Sequence, residues 1–158
     1  MASVLKFDQW LSTSGVAHST VVQTVTKFEN GSHVNTLSTT YIDAGHFITI
    51  TPKFVNSKIL VVFNSGMSLF NSGGSGCAFT IYRNDTTNLD PGPSNYGLVY
   101  RTGDNGRYGD CTMSVIDSPN STGAVTYRAY QRSLDGTSRP YFSHINHYIR
   151  IWAMEIAQ

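Results

Sequence analysis

Acidic helix formers are almost missing from this chain, which has two glutamates, Glu29 and Glu155, in 158 residues. Charged residues of all kinds make up 13%, about half the usual share of roughly 25%. With a net charge of +1 the chain lacks the basic excess that gripping phosphate backbones requires, so general nucleic-acid binding is disfavoured. The two cysteines, Cys77 and Cys111, are too few for a disulfide scaffold. They are expected to be buried, inert thiols, able to pair only if neighbouring strands bring them together. No run approaches about 18 consecutive apolar residues, so no membrane span is expected. Met1 to Trp10 holds one lysine and no continuous apolar run, which reads as no secretory signal. Heptads and repeats of fixed period are absent. Gly73-Gly74-Ser75-Gly76 is followed by Cys-Ala instead of Lys-Ser/Thr, so it does not read as a phosphate loop.

What is abundant is β-forming. Val, Ile, Thr, Tyr, Phe and Trp contribute 58 residues, against 37 for Ala, Leu, Glu, Lys, Arg, Gln and Met. Helix surfaces lean on the second group, so the balance predicts an all-β chain. Ser, Thr, Asn and Gly add 60 residues, enough for turns and for polar strand faces without charge. At 17.4 kDa the length suits one domain with its own core.

The pattern from Thr20 onward is strand, turn, strand. Runs are predicted over 20–28, 34–42, 47–51, 58–70, 77–83, 96–101, 110–116, 124–132, 139–145 and 148–156. Asn30-Gly31, Asp43-Ala44-Gly45 and Leu134-Asp135-Gly136 read as turns. Short strands with turn signals about every ten residues predict an antiparallel β-sandwich or barrel. Phe63, Phe79, Ile81, Val115 and Tyr127 are its candidate core. In 58–70, Ile59, Val61 and Phe63 face one side and Leu60 and Val62 the other, which predicts a strand buried on both faces.

Residues 1–19 read as an anchoring segment ahead of a head domain at 20–158. Leu5, Phe7, Trp10 and Leu11 are candidates for docking onto a larger particle. The last strand is apolar on both faces, and its charges are limited to Arg150 and Glu155. Tyr148, Ile151, Trp152, Met154 and Ile156 are therefore candidates for a subunit interface, since one sandwich has only one interior. The loops 84–97 and 102–110 carry Tyr96, Tyr100, Arg101, Asp104, Arg107 and Tyr108, residue types favoured at recognition sites. With Arg83 beside them, they are candidates for contact with a glycan receptor or a neighbouring protein.

Reactive chemistry is thin. His144 and His147, three apart, would face opposite sides of a strand. His18, His33 and His46 are scattered among polar residues and read as solvent or interface histidines. Asp104-Asn105-Gly106 with Asp110 offers oxygen donors near glycine but lacks a full calcium-loop pattern. No GxSxG elbow is present, and Asp85, Asp90, Asp104 and Asp110 sit where turns want aspartate. The expectation is a protein with no enzymatic activity, no metal and no cofactor.

Several phrases resemble a known class in their order. They are Ser38-Thr39-Thr40-Tyr41-Ile42-Asp43-Ala44-Gly45, Ile50-Thr51-Pro52, Ser57-Lys58-Ile59-Leu60-Val61, Asp117-Ser118-Pro119, Thr126-Tyr127 and the ending Ile151-Trp152-Ala153-Met154-Glu155-Ile156-Ala157. With the opening Met1-Ala2-Ser3-x-Leu5-Lys6 and Ser14-Gly15, this order resembles small virion surface proteins and fibre-tip domains of tailed phages, especially those of marine cyanobacteria. The resemblance spans roughly residues 1–15 and 34–157. It implies a jelly-roll head like those of trimeric tumour-necrosis-factor-like and complement-like proteins. It further implies a homotrimer at the virion surface, assembled in the host cytoplasm as a capsid decoration or small fibre knob. A carbohydrate-binding adhesin at a tail-fibre tip, attaching to a host surface glycan, is the alternative.

Overall fold

The computed structural model describes residues 20–31, 34–70, 76–102, 107–143 and 147–158. These form β1 (Thr20–Asn30), β2 (Ile42–Ile50), β3 (Lys58–Phe70), β4 (Gly76–Arg83), β5 (Thr87–Asn88), β6 (Val99–Thr102), β7 (Arg107–Asp117), β8 (Val125–Ser133), β9 (Arg139–Tyr141) and β10 (Tyr148–Ala157). One antiparallel sheet runs β1-β10-β3-β7, with β9 also on β3. The other runs β2-β8-β4, with β5 and β6 both paired to β4. Successive long strands alternate between sheets, and β10 returns between β1 and β3. That connectivity makes the sandwich a jelly roll. No helix among the described residues is long and apolar enough to cross a membrane.

Period-2 alternation decides which side chains meet between the sheets. From β3 come Ile59, Val61 and Phe63; from β4, Phe79 and Ile81; from β8, Val125, Tyr127 and Ala129; from β10, Ile149, Ile151 and Ala153, all buried. Phe142, just after β9, lies with its ring centroid 6.2 Å from that of Phe63 and 6.0 Å from that of Phe79. Four of the five predicted core residues are therefore interior. Val115 is half-buried at the core margin, because β7 is the edge strand of its sheet.

Three expectations are corrected. The run 34–42 is not a strand before Ile42. Ser38 Oγ donates to the carbonyl of Thr40 and accepts from its amide (2.9 and 3.1 Å), and Thr36 Oγ1 accepts from the Ser38 amide (2.8 Å). Such local bonds compete with a strand ladder. Asp43-Ala44-Gly45 is not a turn closing a strand but a bulge inside β2. There Gly45 takes φ 87° and its amide donates to Asp43 Oδ1 (2.7 Å). Finally, Leu60 and Val62 are half-buried, not interior, because they lie on the outward face of a two-layer sandwich.

Candidate interaction surfaces

The outward face of the β1-β10-β3-β7 sheet carries an apolar field centred on β10, β3 and the end of β7. Its register sets Thr24, Met154, Leu60 and Ile116 in one row, and Thr26, Trp152, Val62 and Ser114 in the next. Val21 pairs with Ile156 at one end of the face, and Phe28 pairs with Arg150 near the other. Ile116 is 60% exposed and Val21 54%. Trp152, Met154, Ile156, Leu60 and Val62 are half-buried by their lateral neighbours. Four of the five predicted interface residues, Tyr148, Trp152, Met154 and Ile156, share this face. Ile151 does not. It is 1% exposed and belongs to the core, because neighbouring residues of a strand point to opposite sides.

Beneath that face lies Glu155, fully buried on the interior side of β10. Its Oε1 accepts from the amides of Lys53 (2.8 Å) and Phe54 (3.1 Å) and from Ser57 Oγ (2.7 Å). Its Oε2 accepts from Gln23 Nε2 (2.6 Å). Burial alone would push this carboxyl up; the bonds from Ser57, Gln23, Phe54 and Lys53 outweigh it and hold the group below its ordinary value. The carboxylate thereby ties the 53–57 loop and β1 to the end of β10.

The outward face of the other sheet is chemically different. Register places Asp43 beside Tyr130, Phe47 beside Arg128, Arg128 beside Tyr82 and Tyr100 beside Ala78. Tyr82 and Tyr130 stack at 4.1 Å, and the Arg132 guanidinium lies 5.3 Å from the centre of the Tyr41 ring. Arg128 is held between carboxylates, with Nε on Asp85 Oδ1 (2.7 Å) and Nη1 on Asp43 Oδ2 (2.9 Å). Burial, with Asp85 nearby, pushes the Tyr130 phenol up to about 12.

Over this face folds the 89–97 loop. Gly92, Ser94, Asn95 and Gly97 all take positive φ (64°, 55°, 61° and 71°). The loop is pinned from within by the Gly97 amide on the Pro91 carbonyl (2.7 Å) and by the Gly92 amide on Asp90 Oδ1 (2.8 Å). Tyr41 Oη, just ahead of β2 (3.1 Å), and Arg132 Nη2 on β8 (2.8 Å) both donate to the Asn95 carbonyl. The result presents Tyr96 stacked on Tyr100, centroids 5.1 Å apart and rings 29° from parallel. Both rings are exposed, Tyr100 by 56%.

Of the other predicted contact residues that are described, Tyr108 and Arg101 do not join this pair. Tyr108 on β7 sits edge-on to Phe70 (5.9 Å). With Arg101, Met67, Leu69 and Thr102 it lines a small cavity of about 140 Å³. Arg101 points to the opposite side of β6 from Tyr100. Asp104 lies outside the described residues, as do Leu5, Phe7, Trp10 and Leu11, and of Arg107 only the backbone is described. Arg83 is a structural residue, with Nη1 on both oxygens of Asp117 (2.8 and 3.0 Å), which also accepts from Tyr127 Oη (2.8 Å).

His46 is corrected as well. It is 3% exposed, its Nδ1 lies 2.9 Å from Glu29 Oε2, and Lys27 also pairs with Glu29. The cluster joins β1 to β2 across the two sheets. Burial pushes the imidazole pKa down, against the pull of Glu29, and the balance is below its ordinary value. Cys77 and Cys111 are free and buried, and burial pushes both thiols up to about 12. Among the described residues no group of three or more His, Cys, Asp or Glu side chains could hold a metal ion.

No family model matches the sequence. No curated protein matches it either. Among solved structures, one similar chain comes from the structure of infectious bursal disease virus, Gx strain. It has 8% sequence identity over 98% of this chain, at a TM-score of 0.34. The chain spans 44% of that protein's length. A likeness this remote transfers no function.

Sequence reasoning missed the Tyr41, Tyr82 and Tyr130 part of the aromatic face, which depends on the strand order β2-β8-β4. A signal was present in β8, where Arg128, Tyr130 and Arg132 alternate with buried residues.

Proposed function

We propose that this chain is a structural subunit of a phage virion, a capsid-surface decoration or small fibre knob, that assembles as a homotrimer through the outward face of the β1-β10-β3-β7 sheet. The observation that carries the reading is that face itself. Leu60, Val62, Ile116, Trp152, Met154 and Ile156 form one apolar field across three strands, and apolar fields of this kind mark protein interfaces. A closed ring of identical subunits covers the field on every copy and leaves no open edge. Three copies are preferred because the phage proteins that the sequence resembles, and the jelly-roll heads they are likened to, are trimers. The virion location rests on the same resemblance, and docking is assigned to Leu5, Phe7, Trp10 and Leu11.

Light scattering of the purified full chain at micromolar concentration tests the assembly. The expected mass is three times the 17.4 kDa of one chain; a clean single-chain mass refutes it. Deleting residues 1–15 tests the docking. The truncated protein should stay folded and trimeric yet no longer join particles, and truncated protein recovered on virions would sink that assignment.

A further inference from the structure

The two outward faces differ in kind, and the difference assigns the second one a ligand. The outward positions of the second sheet carry Thr, Tyr, Arg, Asp, Asn, Ala78 and one Phe, and no Leu, Ile, Val or Met. That composition is poor material for the core of a protein interface, which the first sheet supplies instead. What it offers is a pair of exposed phenol rings, Tyr96 on a preset loop and Tyr100 on β6.

We propose that the Tyr96–Tyr100 stack is a binding platform for a neutral oligosaccharide. Sugar rings present an apolar C–H face and a rim of hydroxyls. A tyrosine presents the matching pair, a flat apolar ring with a polar tip. Tyr also gives large contact area at small cost in rotamer freedom. The platform exists before any ligand arrives. Ser94 and Asn95, the two residues before Tyr96, are held in the left-handed region, and Tyr41 and Arg132 clamp the Asn95 carbonyl between them. Binding therefore requires little ordering of the loop, the main cost that weak ligands cannot meet.

Charge selects the class. The Arg132 guanidinium is directed at the carbonyls of Thr39 (2.9 Å) and Asn95 (2.8 Å), and Arg128 is neutralised by Asp43 and Asp85. Asp90 stands at the loop entrance, with its Oδ1 accepting from the Gly92 amide. Among the described residues of this face the carboxylates of Asp43, Asp85 and Asp90 outnumber the guanidiniums of Arg128 and Arg132, both already engaged, so a neutral sugar fits better than an anionic one. The platform is on the sheet opposite the proposed trimer interface. Both surfaces can be occupied together, and either assignment can fail alone.

The test uses the full-length wild-type chain against maltohexaose, cellohexaose, mannohexaose, xylohexaose and chitohexaose, with hexagalacturonate as the charged probe. Saturation-transfer NMR detects contact and calorimetry measures affinity. At least one neutral hexasaccharide should bind, with an affinity unchanged by an about tenfold rise in salt. Tyr96→Ala and Tyr100→Ala should each weaken it by about tenfold, Tyr100→Phe should retain it, and Tyr148→Ala on the other sheet should leave it intact. Thermal melts of each variant separate loss of the ring from loss of the fold. Failure of every neutral probe overturns the proposal, as does binding confined to hexagalacturonate or binding indifferent to both alanine changes. Release of Tyr100→Ala from trimers or particles, without saccharide binding by the wild type, overturns it in favour of a protein interface.

Discussion

Glu155→Leu should be far more damaging than its conservative size suggests. The side chain is fully buried, so by volume a leucine is acceptable there. Chemically it is not, because four donors converge on the carboxylate from Lys53, Phe54, Ser57 and Gln23. A buried donor left without its partner costs about 1–3 kcal/mol. Ser57 is buried and cannot turn to water, whereas the amides of Lys53 and Phe54 and the Gln23 side chain lie nearer solvent and recover part of their loss. A total of about 2–4 kcal/mol follows, which lowers Tm by about 4–16 °C in a chain of this size. Glu155→Gln keeps one carbonyl oxygen in the place of Oε1 and should cost about 1 kcal/mol. Circular dichroism melts at one fixed protein concentration measure both, since assembly makes Tm concentration-dependent. Equal, small losses in the two variants would refute the argument, because they would mean that the carboxylate is not the acceptor on which the 53–57 loop depends.

Three further outcomes are expected. Met154→Asp puts a charge at the centre of the outward apolar field, where burying a side chain of this size is worth roughly 1.5–3 kcal/mol; light scattering should show a shift from trimers to monomers with the β spectrum unchanged. Acid should destabilise the fold in two steps. His46 has a folded pKa below its unfolded 6.5, so its contribution is complete above 6.5 and declines as pH falls towards the folded value. Glu29 and Glu155, both held below 4.5, contribute fully above 4.5 and lose that contribution as pH falls through their folded values. Melts from pH 8 to pH 3 should show both steps; His46→Gln should flatten the upper one and Glu155→Gln should diminish the lower. Gly97→Ala forces a side chain into the left-handed region against the Phe79 carbonyl and the Tyr41 hydroxyl, at a cost of about 1–3 kcal/mol, and should lower Tm measurably.

The strands were most legible where alternation was undisturbed. The reading of 58–70 matches β3 residue for residue, and those of 124–132 and 148–156 match β8 and β10 to within one residue at each end. Alternation is a local property, so one sequence suffices to see it. It failed at 34–41, where the hydroxyls of Thr36 and Ser38 serve the backbone of their own segment. The apolar outward face was legible from Trp152, Met154 and Ile156, yet its breadth was not, because Leu60, Val62 and Ile116 join it only through the order β10-β3-β7. His46 was misjudged, and the burial of Glu155 went unread, for a related reason. A charged or titratable residue on a strand reads as exposed unless its partners are known, and those partners lie about 100 residues away for Glu155 and 17 away for His46.

The burial of Glu155 bears on how the two faces came to differ. β10 carries Glu155 inward between Met154 and Ile156, which point outward, so the strand's one glutamate serves internal cohesion and its outward positions from Trp152 to Ile156 are left apolar. With Glu155 exposed instead, the outward face would carry a charge in its middle, and an apolar partner would face an unpaired carboxylate. A single register slip of β10 would do the same, since it turns every side chain to the other face. The four bonds to Glu155 therefore do two things at once. They hold the 53–57 loop, and they oppose the slip that would expose the carboxylate. Folding and assembly are coupled at this strand: whatever fixes the register of β10 also fixes which surface the next subunit meets.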